Sequence, residues 1–335
     1  MLTWPHADSD WRELLPVVEP VFLRIATEVA RREMLLVNCF DEQIATRIRA
    51  HLREQGVPDQ NLITFTVASD DTWARDHGPV TRLRDGRPEL LNFVFNGWGN
   101  KYSAEHDNAI TRNLGDAGVF GNTPVIGLDM VLEGGSIDSD GDGTLLTTRR
   151  CLMHPERNPE LDVQAVEQRL RDLLGVKRVL WLENSELEGD DTDGHIDMLA
   201  RFVGAEHIVY QQCTEPGYSA FSPMESMEAE LQALHTASGK PYRLTPLPWP
   251  SPKHSEAGER LPASYANFLI INGAVLMPSY DDAQDDVAAA LLQQCFPDRD
   301  LVQIPCLPLI QQFGSLHCVT MQFPAGVEFR HANPG

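Results

Sequence analysis

Asp193-Gly194-His195-Ile196-Asp197-Met198-Leu199-Ala200-Arg201-Phe202-Val203-Gly204-Ala205-Glu206-His207-Ile208-Val209-Tyr210-Gln211 reads as a polar mouth followed by two apolar runs. Residues 196–203 and 207–211 have the length and β-branched content of strands. Apolar residues then recur at three- and four-residue spacing over 224–238, which predicts a helix. The same alternation extends in both directions. Helices are expected at 15–32, 42–55, 160–174 and 284–294, and strands at 176–182, 268–271, 274–277 and 302–305. This order predicts an α/β protein built on a repeat of two strands, a helix and a further strand. No Gly/Ser linker interrupts it, and the Pro-rich run 245–252 reads as a surface loop, so 1–335 is expected to form a single catalytic domain.

Three polar segments fall at expected strand mouths: Asp76-His77-Gly78-Pro79, Asp193-Gly194-His195 and Leu316-His317-Cys318. Distant parts of the chain can therefore converge on one site. In a strand, side chains two apart share a face and neighbours oppose one another. If 195–197 and 317–318 are strands, His195 and Asp197 look the same way while His317 turns from Cys318. The expected base for Cys318 is then His195.

Lys and Arg number 27 against 49 Asp and Glu, a formal charge of −22, with a sequence pI near 4.8. Such a surface repels phosphate backbones and anionic lipid, and steers small cations inward. Nucleic acid and membrane are not expected partners. Cys39, Cys151, Cys213, Cys295, Cys306 and Cys318 are scattered, with no CxxC pair, and read as reduced thiols. The opening residues carry no basic-then-apolar leader and no run reaches membrane-spanning length, so a cytoplasmic protein is expected.

Thr72-Trp73-Ala74-Arg75-Asp76, Phe95-Asn96-Gly97-Trp98-Gly99-Asn100-Lys101-Tyr102, Leu132-Glu133-Gly134-Gly135, residues 189–197 and the Cys318 loop together resemble the agmatine deiminase family. That family is related to bacterial peptidylarginine deiminase within the guanidine-modifying superfamily. The likeness also takes in Trp4-Pro5-His6, residues 145–159, Pro262-Ala263-Ser264-Tyr265-Ala266-Asn267-Phe268 and Phe296-Pro297-Asp298-Arg299. The resemblance implies a five-bladed α/β propeller, pentein-like, of ββαβ units with pseudo-fivefold symmetry. It implies that Cys318 is the nucleophile, His195 the general acid and base, Glu133 its orienting partner, and Asp76 with Asp197 the guanidinium clamp. Trp73, Trp98, Gly135 and Gly314 are the further substrate contacts expected. The implied reaction is hydrolysis of agmatine to N-carbamoylputrescine and ammonia, feeding putrescine synthesis. Neither a metal nor an organic cofactor is implied, and a homo-oligomer stays open.

The residue types suit that chemistry. A guanidinium is planar and permanently charged, so taking it from water requires carboxylates in its plane. A thiolate can add to its central carbon, and an acid must protonate the departing nitrogen. Carboxylates beside Cys318 disfavour a second anion, so the substrate's own charge is expected to help form the thiolate. Deiminases acting on free arginine or peptidyl-arginine are the nearest alternatives. A metal-dependent hydrolase using Asp190, Asp191 and Asp193 with His195, and a non-catalytic binder of cations, are the others.

Other features read more plainly. Asp138-Ser139-Asp140-Gly141-Asp142-Gly143 imitates a calcium loop, but Arg149 occupies the position of the bidentate Glu, so a hairpin turn is expected. Trp73 and Trp98 fit either core packing or a cavity wall, and Arg75 fits either the pocket or an internal ion pair. His77 and His317 read as structural, and the other five cysteines as small buried hydrophobes. Two departures from the family stand out. Gln311-Gln312-Phe313-Gly314-Ser315 replaces a Gly-rich stretch ahead of His317-Cys318, which narrows the space beside the thiol. The chain is also expected to lack a Trp-bearing lead-in and, with it, a first strand or part of the entrance.

Overall fold

The computed structural model describes residues 1–330. It divides into two compact units, one of Met1–Gly134, Ile270–Leu276 and the residues from Cys318 on, the other of Gly135–Leu269 and Met277–His317. No helix among the described residues is long and apolar enough to cross a membrane.

In the first unit, β1 (Leu2–Thr3), β2 (Leu35–Cys39) and β3 (Leu62–Thr66) form a parallel sheet. The first strand is thus present, and Leu2 also bridges antiparallel to Thr320. Every residue of β2 is buried, as expected of a parallel strand covered on both faces. The helices Leu15–Ala30 and Glu42–Glu54 make the crossovers. The second of them begins where the Asp41 carboxylate accepts the Ile44 N–H at 2.8 Å, satisfying a donor that the helix leaves unpaired.

β4 (Val80–Arg84) and β5 (Arg87–Val94) pair antiparallel across Asp85-Gly86, whose φ values of 52° and 76° are those an Asp-Gly hairpin turn requires. The helix Glu105–Asp116 then leads to β6 (Val125–Val131), parallel to β5. Leu36, Ile63, Ala74, Leu90, Ile110, Phe120 and Met321 share the core of this unit.

The second unit repeats the pattern. β7 (Ile137–Ser139) and β8 (Thr144–Thr148) are antiparallel, and the helix Val163–Leu174 leads to β9 (Arg178–Leu182), parallel to β8. β10 (Ala200–Gly204), β11 (His207–Gln211), the helix Phe221–Ala233 and β12 (Arg243–Leu247) follow the same plan. β13 (Lys253–His254) and β14 (Arg260–Leu261) form a small hairpin. A further sheet, whose residues Ile270–Leu276 are counted with the first unit, is made of β15 (Leu269–Ile271), β16 (Ala274–Ser279) and β17 (Asp300–Pro305), with the helix Asp285–Cys295 between the last two. The α/β class and the repeat of two strands, a helix and a strand are therefore present.

Three local expectations need correction. Residues 196–203 are not one strand: Ile196–Met198 is a 3₁₀ turn and the strand starts at Ala200. Thr245, Pro246 and Leu247 belong to β12, whose position at the sheet edge tolerates a proline that cannot donate a ladder bond. The helix expected at 224–238 runs instead over Phe221–Ala233. The calcium-like run is a turn, as expected: Asp140 Oδ1 accepts the Asp142 and Thr144 N–H groups at 2.7 and 2.8 Å.

At the start of helix Glu105–Asp116 three carboxylates lock a loop in place. Asp107, 1% exposed, accepts the N–H groups of Asp70 and Asp71 at 2.8 and 3.0 Å, and Asp70 accepts that of His106 at 2.8 Å. Asp71 accepts the Trp11 indole and Thr72 N–H groups, both at 2.7 Å. Burial pushes the Asp71 pKa up to about 6 and raises that of Asp107 well above its ordinary value. Because the folded pKa exceeds the unfolded one, the linked stabilisation is complete below about pH 4 and is lost as pH rises through about 6. Asp71→Asn should therefore melt at a temperature that falls less between pH 4 and pH 6 than that of the unaltered protein, by an amount equivalent to about 2 kcal/mol. Parallel melting curves across that interval would refute the assignment.

Candidate active site

Asp76 lies on the one-turn helix Ala74–His77, directly before β4, and is 4% exposed. Its N–H donates to Trp73 O at 2.9 Å. The turn closes at Gly78 because a Cβ there would stand 2.4 Å from Ala74 O. The neighbouring Arg75 N–H donates to Cys318 O at 3.1 Å, tying the Asp76 segment to the cysteine. The Arg75 side chain is buried and runs to Met321 Sδ, at 3.6 Å, and to Gln322 Oε1. Gly134 packs so tightly on this backbone that a Cβ would come within 2.2 Å of Arg75 O. Backbone contacts thus gather three segments that carry buried Asp76, Glu133 and Cys318.

Two aromatic residues border this group. The Trp98 indole N–H donates to Asp76 Oδ2 at 3.0 Å. Trp73 packs its ring 5.7 Å from that of Trp11. His77 is buried beside Phe95, and burial lowers its pKa to about 3, so the ring is neutral.

In the second unit, His195 and Asp197 are buried at the entry to β10. The loop before them is held from several sides. Asp190 accepts the Gly194 N–H at 2.7 Å and the Thr192 N–H at 3.1 Å, and Thr192 Oγ1 accepts the His195 N–H at 3.2 Å. Asp193 pairs at 2.8 Å with Arg157, whose side chain is wholly buried, and the Thr148 hydroxyl donates to Gly194 O at 2.7 Å. Gly194, at φ 88°, approaches Ser185 O so closely that a Cβ would lie 2.6 Å away. Asp190 and Asp193, read from the sequence as possible metal ligands, thus spend carboxylate oxygens on their own loop and on Arg157.

The strand premise behind the expected orientation of His317 does not hold. Residues 316–319 form a turn and 196–198 a 3₁₀ helix, so strand alternation governs neither segment. His317 Nδ1 lies 2.7 Å from Asp197 Oδ2, and its backbone N–H donates to Asn267 Oδ1 at 2.8 Å. Asn267 Nδ2 in turn donates to Asp197 O at 3.3 Å. Asn267, wholly buried, is the member of this cluster to which sequence reading gave no role; its signal was its place in the family-like run Pro262–Phe268, just before a strand. Gly135 and Gly314 are both buried, and Ser315 Oγ lies 2.9 Å from the Tyr280 hydroxyl. Phe313 stands at φ 63°, a left-handed backbone that favours glycine.

The remaining cysteines are free thiols, buried except for half-buried Cys295. Burial raises the Cys39 pKa to about 12 and moves that of Cys306 in the same direction, which leaves both inert.

The family model of Porphyromonas-type peptidyl-arginine deiminase matches residues 1–324. A Vibrio parahaemolyticus protein provisionally named agmatine deiminase is 33% identical over 97% of this chain and 93% of its own length. Among solved structures, a Porphyromonas gingivalis protein provisionally described as an arginine deiminase superposes with a TM-score of 0.90 at 49% identity, covering 98% of this chain and 96% of that one. The C. jejuni agmatine deiminase, in a cysteine-to-serine form with substrate bound, superposes with a TM-score of 0.86 at 33% identity over 95% and 91% of the two chains.

Proposed function

The chain belongs to the Porphyromonas-type peptidyl-arginine deiminase family, and on that premise we propose that it hydrolyses agmatine to N-carbamoylputrescine and ammonia. Likeness along nearly the whole chain to agmatine deiminases supports this reading. The observation that carries the chemistry is the Arg75 N–H bond to Cys318 O, which sets a thiol beside the segment bearing a buried carboxylate.

Asp76 and Asp197 receive the guanidinium N–H groups and hold the ion flat. Cys318 sulfur bonds to the central carbon. The thiol proton passes through His195 to one nitrogen, and that nitrogen leaves as ammonia when its C–N bond breaks. The remaining S-alkylthiouronium is cationic. Water, deprotonated by His195, adds to its carbon; the C–S bond then breaks, freeing the urea product and the Cys318 thiol. Glu133 holds the imidazole in register for both proton transfers. The reaction needs no redox step, and the family likeness implies no cofactor. The four repeats of two strands, a helix and a strand, with the β1–β3 sheet, support a five-bladed pentein-like propeller working as one catalytic domain. The six free cysteines fit a cytoplasmic setting.

Free arginine is the second reading, favoured by the name of the 49% identical Porphyromonas gingivalis protein. Ammonia release from agmatine, free arginine and a peptide ending in arginine separates the readings. Agmatine should have the highest kcat/KM, by about tenfold or more, the discrimination expected when a pocket's buried polar groups find partners in one ligand only. Mass spectrometry of quenched enzyme should show the thiouronium adduct on Cys318. A higher kcat/KM for arginine would reassign the substrate, and no ammonia from any of the three would overturn the deiminase reading.

A further inference from the structure

Gly97, Trp98, Gly99 and Asn100 all have positive φ, at 65°, 57°, 81° and 61°. Residues 96–101 therefore close one left-handed turn. Asn100 N–H donates to Asn96 O at 2.9 Å and Lys101 N–H to Gly97 O at 3.0 Å, while the Asn96 side chain accepts the Gly99 N–H at 2.9 Å. This hand brings the Cβ of an L-residue too close to the following carbonyl oxygen, so Trp98 and Asn100 are strained. Such strain persists where the surroundings over-determine it, and it gathers at functional sites. Gly97 is required for a second reason: a Cβ there would lie 2.2 Å from Tyr102 O.

The turn delivers the Trp98 side chain. The ring is 7% exposed and stands edge-on between Phe95 and Tyr102, with centroids at 4.9 and 5.6 Å and interplanar angles of 86° and 87°. Its N–H reaches Asp76 Oδ2 at 3.0 Å. Reversing the hand of the backbone would re-aim this side chain.

We propose that Trp98 is a positioning residue for Asp76, held in a strained left-handed turn so that its indole N–H fixes the carboxylate that receives the guanidinium. The inference rests on the agmatine reading above. An indole is a donor only and does not titrate, so it orients the carboxylate without adding charge and without competing for the substrate's N–H groups. The guanidinium presents its donors in a rigid planar fork, and a carboxylate that rotates away from that plane loses the paired geometry. Trp98 thus acts through Asp76 rather than on the reacting carbon.

The test uses Cys318→Ala protein, which cannot turn over, with and without Trp98→Phe, which keeps an aromatic ring and removes the N–H. Calorimetry measures binding of agmatine and of the product N-carbamoylputrescine, whose ureido group is uncharged where agmatine carries its guanidinium, and thermal melting confirms folding. Agmatine should bind about 10-fold more weakly to the Trp98→Phe form, the effect of one hydrogen bond to a charged group, while product affinity should change less than about 2-fold. Gly97→Ala, which breaks the turn, should reproduce the selective loss. Equal weakening of both ligands, which a merely structural role predicts, would overturn the inference, as would unchanged agmatine affinity. Failure of agmatine to bind the Cys318→Ala parent, together with no ammonia from the intact enzyme, instead overturns the substrate reading and this inference with it.

Discussion

Cys318→Ala should release ammonia from agmatine at least ~10⁴-fold more slowly than the intact enzyme, the scale seen when a covalent nucleophile is removed from a site whose other groups remain. Alanine fills most of the same small space, so melting temperature and agmatine affinity should change little. Water alone cannot sustain the rate, because a neutral water is a poor nucleophile towards a guanidinium. Residual turnover within tenfold of the intact enzyme would show that the thiol is not the nucleophile.

The same cysteine carries a charge argument. Asp76 and Glu133 lie on segments packed around it within one unit, and Asp197 follows from the proposed clamp. Anionic neighbours oppose a thiolate and a bound cation favours it. Iodoacetamide should accordingly label Cys318 faster at neutral pH when a small guanidinium that leaves the sulfur accessible is bound. Equal labelling rates across pH with and without that cation would end the idea of substrate-assisted ionisation.

Much of the architecture was legible because burial leaves a direct signature in the chain. The β-branched runs at 207–211 and 274–277 became β11 and part of β16, and the helices near 15–32 and 42–55 fell within two residues of their ends. The helix Glu105–Asp116 escaped notice because it buries few apolar side chains, Ile110 and Leu114 among them, and carries Gly115 near its end. Of the three segments expected at strand mouths, Asp76-His77-Gly78-Pro79 precedes β4 and Asp193-Gly194-His195 lies just before β10, while Leu316-His317-Cys318 lies in a turn with no named strand after it. What lay beyond sequence was conformation and pairing. The glycines flanking Trp98 announce a turn but not its hand. Ile196–Met198 has strand-like residues, yet the polar bonds around His195 and the bond from His317 to Asp197 hold it in a 3₁₀ turn. That last contact joins residues 120 apart in the chain, and no local pattern announces it.

Asp197→Asn should lower kcat/KM for agmatine by roughly 10²–10⁴-fold, corresponding to about 3–5 kcal/mol for removing one partner of a buried charged pair. Asp197 is wholly buried, and its Oδ2 lies 2.7 Å from His317 Nδ1. The substitution is nearly isosteric, so packing and the Asn267 bond to Asp197 O survive, and the melting temperature should shift only modestly. Two roles nevertheless remain to be separated: holding the guanidinium, and anchoring the His317 turn that leads straight into Cys318. His317→Gln distinguishes them, because it preserves Asp197's charge while altering the anchored partner. If Asp197 acts as a clamp, His317→Gln should lose far less kcat/KM than Asp197→Asn, and only Asp197→Asn should favour the product, with its uncharged ureido group, over agmatine in binding to the Cys318→Ala background. Equal losses in the two variants, with the ratio of agmatine to product affinity unchanged, would make Asp197 an anchor for the cysteine turn and remove it from the clamp.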